Sequence, residues 1–208
     1  MIKLQRGPAP QFWSRKRVKE WTKKWIAKEC DSRRWQWPQY RQKRINEYAS
    51  KAMEQWHHNK CAFCETPLFS GTQIEHFRSK VKYPLAAFIW RNLFLICQNC
   101  NQRKGERDHT GCLKPDRDDP VAYLWVNPIL LKVEPRLGLS DEMRQCAEKT
   151  IALYGLDRPE LKKLYEEYLK MVQRTPVVEL AQEDRPFTLM IRSLLDYRRI
   201  DENKELFV

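Results

Sequence analysis

The chain has 208 residues, 42% of them hydrophobic and eight of them Trp, a composition that buries a core in one or two domains and excludes a disordered tail. No run of 18 apolar residues occurs, which excludes an ordinary membrane helix, and the opening MIKLQRGPAP lacks the apolar stretch of a secretory signal, so a cytoplasmic protein is expected. The formal charge is +12, and residues 1–60 hold 16 Lys/Arg against 5 Asp/Glu, a block that attracts polyanions, nucleic acid foremost, or else forms a solvated helical face.

Residues 1–10 read as a Pro-bearing lead-in. Helical spacing of Trp13, Val18, Trp21, Trp25 and Ile26 predicts a helix from Gln11 to Cys30, broken by Asp31-Ser32 and Trp37-Pro38. A second helix is expected from Pro38 to His57, with Tyr40, Ile45, Tyr48, Ala49, Met53 and Trp56 on one side and Pro38 in its first turn. At that spacing Trp21, Trp25 and Trp56 belong to the core. Trp35 and Trp37, in the break, are better placed for a surface role such as stacking on bases. His57 and His58 fit a helix C-terminus, where the dipole favours them.

From Cys61 the character changes. Two Cys-x-x-Cys pairs, Cys61/Cys64 and Cys97/Cys100, are separated by 32 residues. Each pair can present two thiolates to one zinc ion, which prefers four such ligands in a tetrahedron. An odd total of seven cysteines fits metal binding in a reducing compartment better than a disulfide framework. Cys30, Cys112 and Cys146 read as ordinary thiols, and His109-x-x-Cys112 is too small a set for a site. Inside the frame, Thr72 to Phe77 alternates like a strand and carries Glu75-His76; Ala87 to Ile96 is a strand or turn leading to Cys97; Gln98 to Lys104 is a short helix closed by Gly105. A polar loop over 106–120 follows, then an apolar stretch from Val121 to Leu131. Helices are expected from Ser140 to Tyr154, Pro159 to Gln173 and Pro186 to Arg199.

The order Glu75-His76, Asn92, Asn101, within the cysteine frame from Cys61 to Gly105, resembles the HNH endonuclease family. The resemblance implies a ββα-metal core stapled by a structural zinc that Cys61, Cys64, Cys97 and Cys100 hold together. The expected fold is therefore α+β and mostly helical: basic helices over 1–60, the nuclease core over 61–130, and a helical region over 131–208. It also implies roles. His76 would be the general base that takes a proton from water, Glu75 and Asn101 would hold Mg²⁺ or Mn²⁺, and Asn92 would pin the loop beside His76 by side-chain to backbone hydrogen bonds. Arg103 and Lys104 would touch phosphate oxygens. Many members carry Asp where this chain has Glu75, which leaves ligand distance and metal choice less fixed.

A looser likeness covers more of the chain. MIKLQRGPAP, IEHFRSK and TIALYGLDRPEL are similar to the PtuB family of Septu-type and retron-linked phage defence. That resemblance implies an oligomeric PtuA-like ABC-type ATPase partner and, in retron systems, a reverse transcriptase with its RNA and DNA. Leu161, Leu164, Tyr165, Tyr168 and Leu169 would serve for docking or for packing onto the core. DNA is the expected substrate, with RNA, tRNA included, open. The alternative is a zinc-stapled nucleic-acid-binding or adaptor subunit without catalysis.

Overall fold

The computed structural model describes residues 1–69, 72–107 and 109–204, with side chains described as far as Tyr197. Helix α1 spans Arg15–Ile26, four residues shorter at each end than its hydrophobic pattern. Ser14, in extended backbone, accepts from the Arg17 amide through its hydroxyl and so fixes the start. At the other end, Glu29 and Cys30 take positive φ and turn the chain. The second expected helix is also shorter. Residues after Pro38 form a small hairpin, β1 (Gln39–Tyr40) with β2 (Lys43–Arg44), turned by Arg41 at φ 53°. Tyr40 stacks on Phe12 there, with ring centroids 4.2 Å apart. Helix α2, Ile45–His57, then starts where the Glu47 carboxylate reaches back to the Arg44 amide at 3.0 Å. Pro38 thus precedes the hairpin and is no part of the helix.

Strand β3 (Gln73–His76) pairs antiparallel with β4 (Leu93–Ile96), placing Glu75 opposite Phe94 and His76 opposite Leu93. All four β4 residues are buried. The outer edge of β4 is not left open. Leu95 accepts from the Ala62 amide in the first cysteine turn at 3.0 Å, and donates to His57 Nε2 at 3.3 Å. Helix α3, Gln98–Lys104, follows β4 directly and ends at Gly105, as expected.

The apolar stretch after Val121 forms a second hairpin, β5 (Leu124–Asn127) with β6 (Lys132–Pro135), so residue 130 lies in its turn. Helix α4, Asp141–Tyr154, is capped by Ser140 and closed by Gly155 in the left-handed region. A Cβ on Gly155 would meet the movable end of the Arg103 side chain, so it is the left-handed φ of 57° that calls for glycine in this closing turn. Helices α5 (Pro159–Met171), α6 (Val177–Leu180) and α7 (Thr188–Lys204) complete the described chain. They pack inward. Leu161, Tyr165 and Tyr168 are buried, so the face considered for docking belongs to the core. Among the described residues no helix is long and apolar enough to cross a membrane.

The opening ten residues are more than a lead-in. Met1, Ile2 and Leu4 are buried, and the Leu4 amide donates to Pro115. The Arg6 guanidinium lies over the Trp56 and Phe94 rings, donates to the carbonyls of Trp90 and Leu93, and pairs with Asp116 at 2.6 Å. One cation is thus held by three separate parts of the chain. Most of the basic block remains exposed, Arg6 and Lys60 excepted.

Candidate functional site

The four cysteines meet. Sulfur atoms of Cys61, Cys64, Cys97 and Cys100 all lie within 4.8 Å of one another, a spacing that suits one tetrahedral zinc ion. Cys61 and Cys64 come from the turn after α2, while Cys97 caps α3 and Cys100 sits within it, so an ion here joins the turn to the ββα unit. Arg158, buried at the start of α5, directs Nη1 at Cys100 Sγ (3.8 Å) and donates to the Gly155 carbonyl at 2.8 Å. Burial lowers the Arg158 pKa, but the Cys64 and Cys100 sulfurs outweigh it and raise it overall. A tetrathiolate centre carries excess negative charge, and a buried guanidinium is a fitting counter-ion. Nothing in the sequence singled out Arg158, which lies 58 residues from Cys100.

A cavity of about 450 Å³ opens beside this cluster, lined by Glu75, His76, Asn101 and Lys104 together with Gln73, Ser79, Lys80 and Glu106. The basic amino-terminal block supplies the opposite wall through Trp35, Trp37, Asn46 and Ser50. Trp37 stacks on the His76 ring at 5.2 Å with planes 15° apart, and Trp35 meets that ring edge-on at 5.1 Å. Both are half-buried, so these two line the cavity instead of standing free on the surface.

His76 is held firmly. Its Nε2 is 2.9 Å from the Ala87 carbonyl oxygen, which can only accept, so Nε2 carries the proton and Nδ1 keeps its lone pair. Burial, with Lys80 adding to it, pushes the imidazole down to about 3, against an ordinary value near 6.5. The ring is therefore neutral at pH 7 without relying on the usual histidine pKa. Asn92 spends its whole amide on the intervening loop: Oδ1 accepts from the Arg78 amide at 2.6 Å, and Nδ2 donates to the carbonyls of Arg78 (3.0 Å) and Ala86 (2.9 Å). Ala86 adjoins Ala87, so Asn92 and His76 fasten the same piece of backbone.

Asn101, in α3, donates from Nδ2 to Gln73 Oε1. That bond leaves Oδ1 as its accepting atom, and Gln73 is a positioning residue the sequence pattern did not reveal. Glu75 is 5% exposed, and its Oε1 lies 2.5 Å from Lys104 Nζ. Burial raises the Glu75 carboxyl pKa, with Lys104 opposing it. Lys104, expected to touch phosphate oxygens, is only 2% exposed and lies in the cavity wall. It stands one turn after Asn101, and that turn of α3 carries it inward. Arg103 points away, towards Glu160 at 3.6 Å. Two oxygen donors, Glu75 and Asn101, are thus on the wall and chemically suit a hard divalent cation. Glu75 is already engaged by an ammonium. Lys80, which the sequence reading left unassigned, faces Glu75 and Glu106 and lies over the Trp35 ring at 5.3 Å.

No protein-family model matches the chain. Over 90 residues, 41% of its length, it is 38% identical to the Septu protein PtuB of Bacillus thuringiensis, and the matched part spans 35% of that relative.

Proposed function

We propose that the chain is a metal-dependent endonuclease of the HNH type, serving an anti-phage defence system beside an ATPase partner. The observation that carries this reading is a neutral histidine, proton fixed on Nε2, sharing one cavity wall with a carboxylate and a carboxamide. Its support in kinship is the similarity to a Septu protein.

In this reading His76 accepts a proton from the attacking water at Nδ1 while Nε2–H stays on the Ala87 carbonyl, which holds the ring in one tautomer; a ring held down to about 3 is a weak base in the free protein, and an entering phosphate raises it towards the range a base needs. Trp37 and Trp35 keep the imidazole plane fixed and shield it from bulk water. Asn92 holds the loop that supplies the Ala87 carbonyl, so it acts through His76. Glu75 and Asn101 would hold a divalent cation, which when bound supplies charge stabilisation at the phosphate and the departing 3′ oxygen. Lys80 is placed to meet a phosphate oxygen, and the exposed lysines and arginines of α1 and the following segment draw the polyanion in. The cysteine cluster would hold zinc as scaffolding and take no part in the chemistry.

The test is cleavage of plasmid DNA and of total tRNA by purified protein with Mg²⁺ or Mn²⁺, with the ATPase added in parallel. His76→Ala should lower cleavage about 10²- to 10⁴-fold while binding persists. Equal cutting by wild type and His76→Ala removes His76 as the base. Binding by both without any cutting leaves the adaptor reading, which the Glu75–Lys104 pair favours because it balances the Glu75 charge with no metal.

A further inference from the structure

The Glu75–Lys104 pair does not fit a carboxylate that only waits for a cation. Lys104 Nζ sits 2.5 Å from Oε1, and both side chains are almost fully enclosed, at 2% exposure for Lys104 and 6% for Glu75. A divalent ion bound to Glu75 would be within a few ångströms of that ammonium, a strong like-charge repulsion in a partly dry cavity. The remaining charges give no relief. Lys80 and Lys104 face Glu75 and Glu106 on the same wall, so the cavity is balanced as it stands and a further two positive charges would need a new anion. A nucleic-acid phosphate is such an anion. The lining also includes Ser79 and Asn46, which are neutral and can supply none.

Resting on the nuclease reading, we propose that Lys104 is a built-in counter-cation of Glu75, which leaves the carboxylate only when a backbone phosphate enters the cavity and takes it over. Divalent-cation binding and nucleic-acid binding are then coupled, and each promotes the other. Lys104 is suited to this because its flexible stem leaves α3 on the same face as Asn101, it lines the cavity, and its ammonium is otherwise held only by the Gly105 carbonyl at 3.2 Å among the described contacts. The ion pair also spares the empty-handed protein a buried, unpaired carboxylate. The arrangement would keep the site from loading metal, and from cutting, until its substrate is seated.

The experiment reads Mn²⁺ affinity by electron paramagnetic resonance, not activity. It uses His76→Ala protein so that a duplex oligonucleotide survives. Adding the duplex should tighten Mn²⁺ binding by about tenfold or more. In His76→Ala/Lys104→Met, binding without the duplex should already be tighter by about tenfold, and the duplex should add less than about threefold. Lys104→Gln, neutral but able to donate to Glu75, should behave alike and guards against a Met variant that does not fold. Zinc content and circular dichroism matching the parent establish folding. Unchanged or weaker Mn²⁺ binding in the folded Lys104 variants overturns the proposal and leaves the nuclease reading standing, as does Mn²⁺ affinity indifferent to the duplex. Mn²⁺ binding that Glu75→Gln leaves untouched overturns both.

Discussion

The cysteine cluster and the cavity cluster of this chain are built on opposite plans. The cysteine cluster takes its four ligands from two local pairs, and the sulfurs converge within 4.8 Å with a guanidinium as counter-ion. The cavity cluster takes single residues from β3 and α3, and each is tied to an internal partner: His76 to Ala87, Asn101 to Gln73, Glu75 to Lys104. The first cluster, four buried or half-buried sulfurs at tetrahedral spacing, is fit for scaffolding. The second holds reactive groups in check, and what sets their chemistry is the partner as much as the residue.

The sharpest way to break this contrast is to remove a scaffold ligand. Cys97→Ser should forfeit most of the roughly 10–16 kcal/mol that a structural zinc contributes, about as much as a domain's entire stability, and leave the protein insoluble. Elemental analysis should find one zinc per folded wild-type chain. A soluble, zinc-free wild type would refute the scaffold. Asn92→Ala tests the cavity side. It strips three hydrogen bonds and strands buried backbone groups, so urea denaturation should show a loss of about 2–4 kcal/mol with zinc retained. Zinc lost along with it would mean the two clusters are not separate in function.

Smaller effects refine the picture. Arg158→Gln should weaken zinc retention against a chelator by about 10- to 100-fold while the fold persists, the size expected of a supporting partner. An effect that shows only below neutral pH concerns His57, the fully buried last residue of α2, whose Nε2 accepts from Leu95 and whose pKa burial, with Arg6 adding to it, pushes down to about 3. The unfolded chain protonates this ring near 6.5 and the folded one resists, so its stabilisation is complete above pH 6.5 and is lost as pH falls towards 3. Stability of wild type should therefore drop by up to about 1.4 kcal/mol per pH unit more than that of His57→Gln between about pH 6 and 4. Parallel curves would show that His57 does not couple folding to protons.

How much of this was legible beforehand depends on how local the signal is. Tandem Cys-x-x-Cys pairs announce themselves, and the strand carrying Glu75 and the helix carrying Asn101 follow from alternation and the Gly105 stop; the stretch around Asn92 stayed open between strand and turn, because all four β4 residues are buried and show no alternation. Ser140 and Gly155 likewise bounded α4 from sequence. Misreadings came where a distant partner overrode a local preference. The Pro38–Arg44 stretch has helical spacing, yet Phe12 draws Tyr40 into a hairpin. What escaped the sequence at Lys104 is its partner, a buried carboxylate on β3. Arg6 and Arg158 fall in stretches that carry the wider resemblance, but their roles could not be read there because their hydrogen-bond partners include groups 84–110 and 58 residues away.

Sequence alone determined which chemical groups the protein has and which of them arrive in pairs, because ligand spacing, caps and hydrophobic period act over a few residues. Only the tertiary structure decided their state: which histidine nitrogen keeps a lone pair, which carboxylate is already neutralised, which tryptophans wall a cavity. Those outcomes turn on burial and on charges brought together across the chain, and in a low-dielectric interior such neighbours outweigh any residue's intrinsic behaviour.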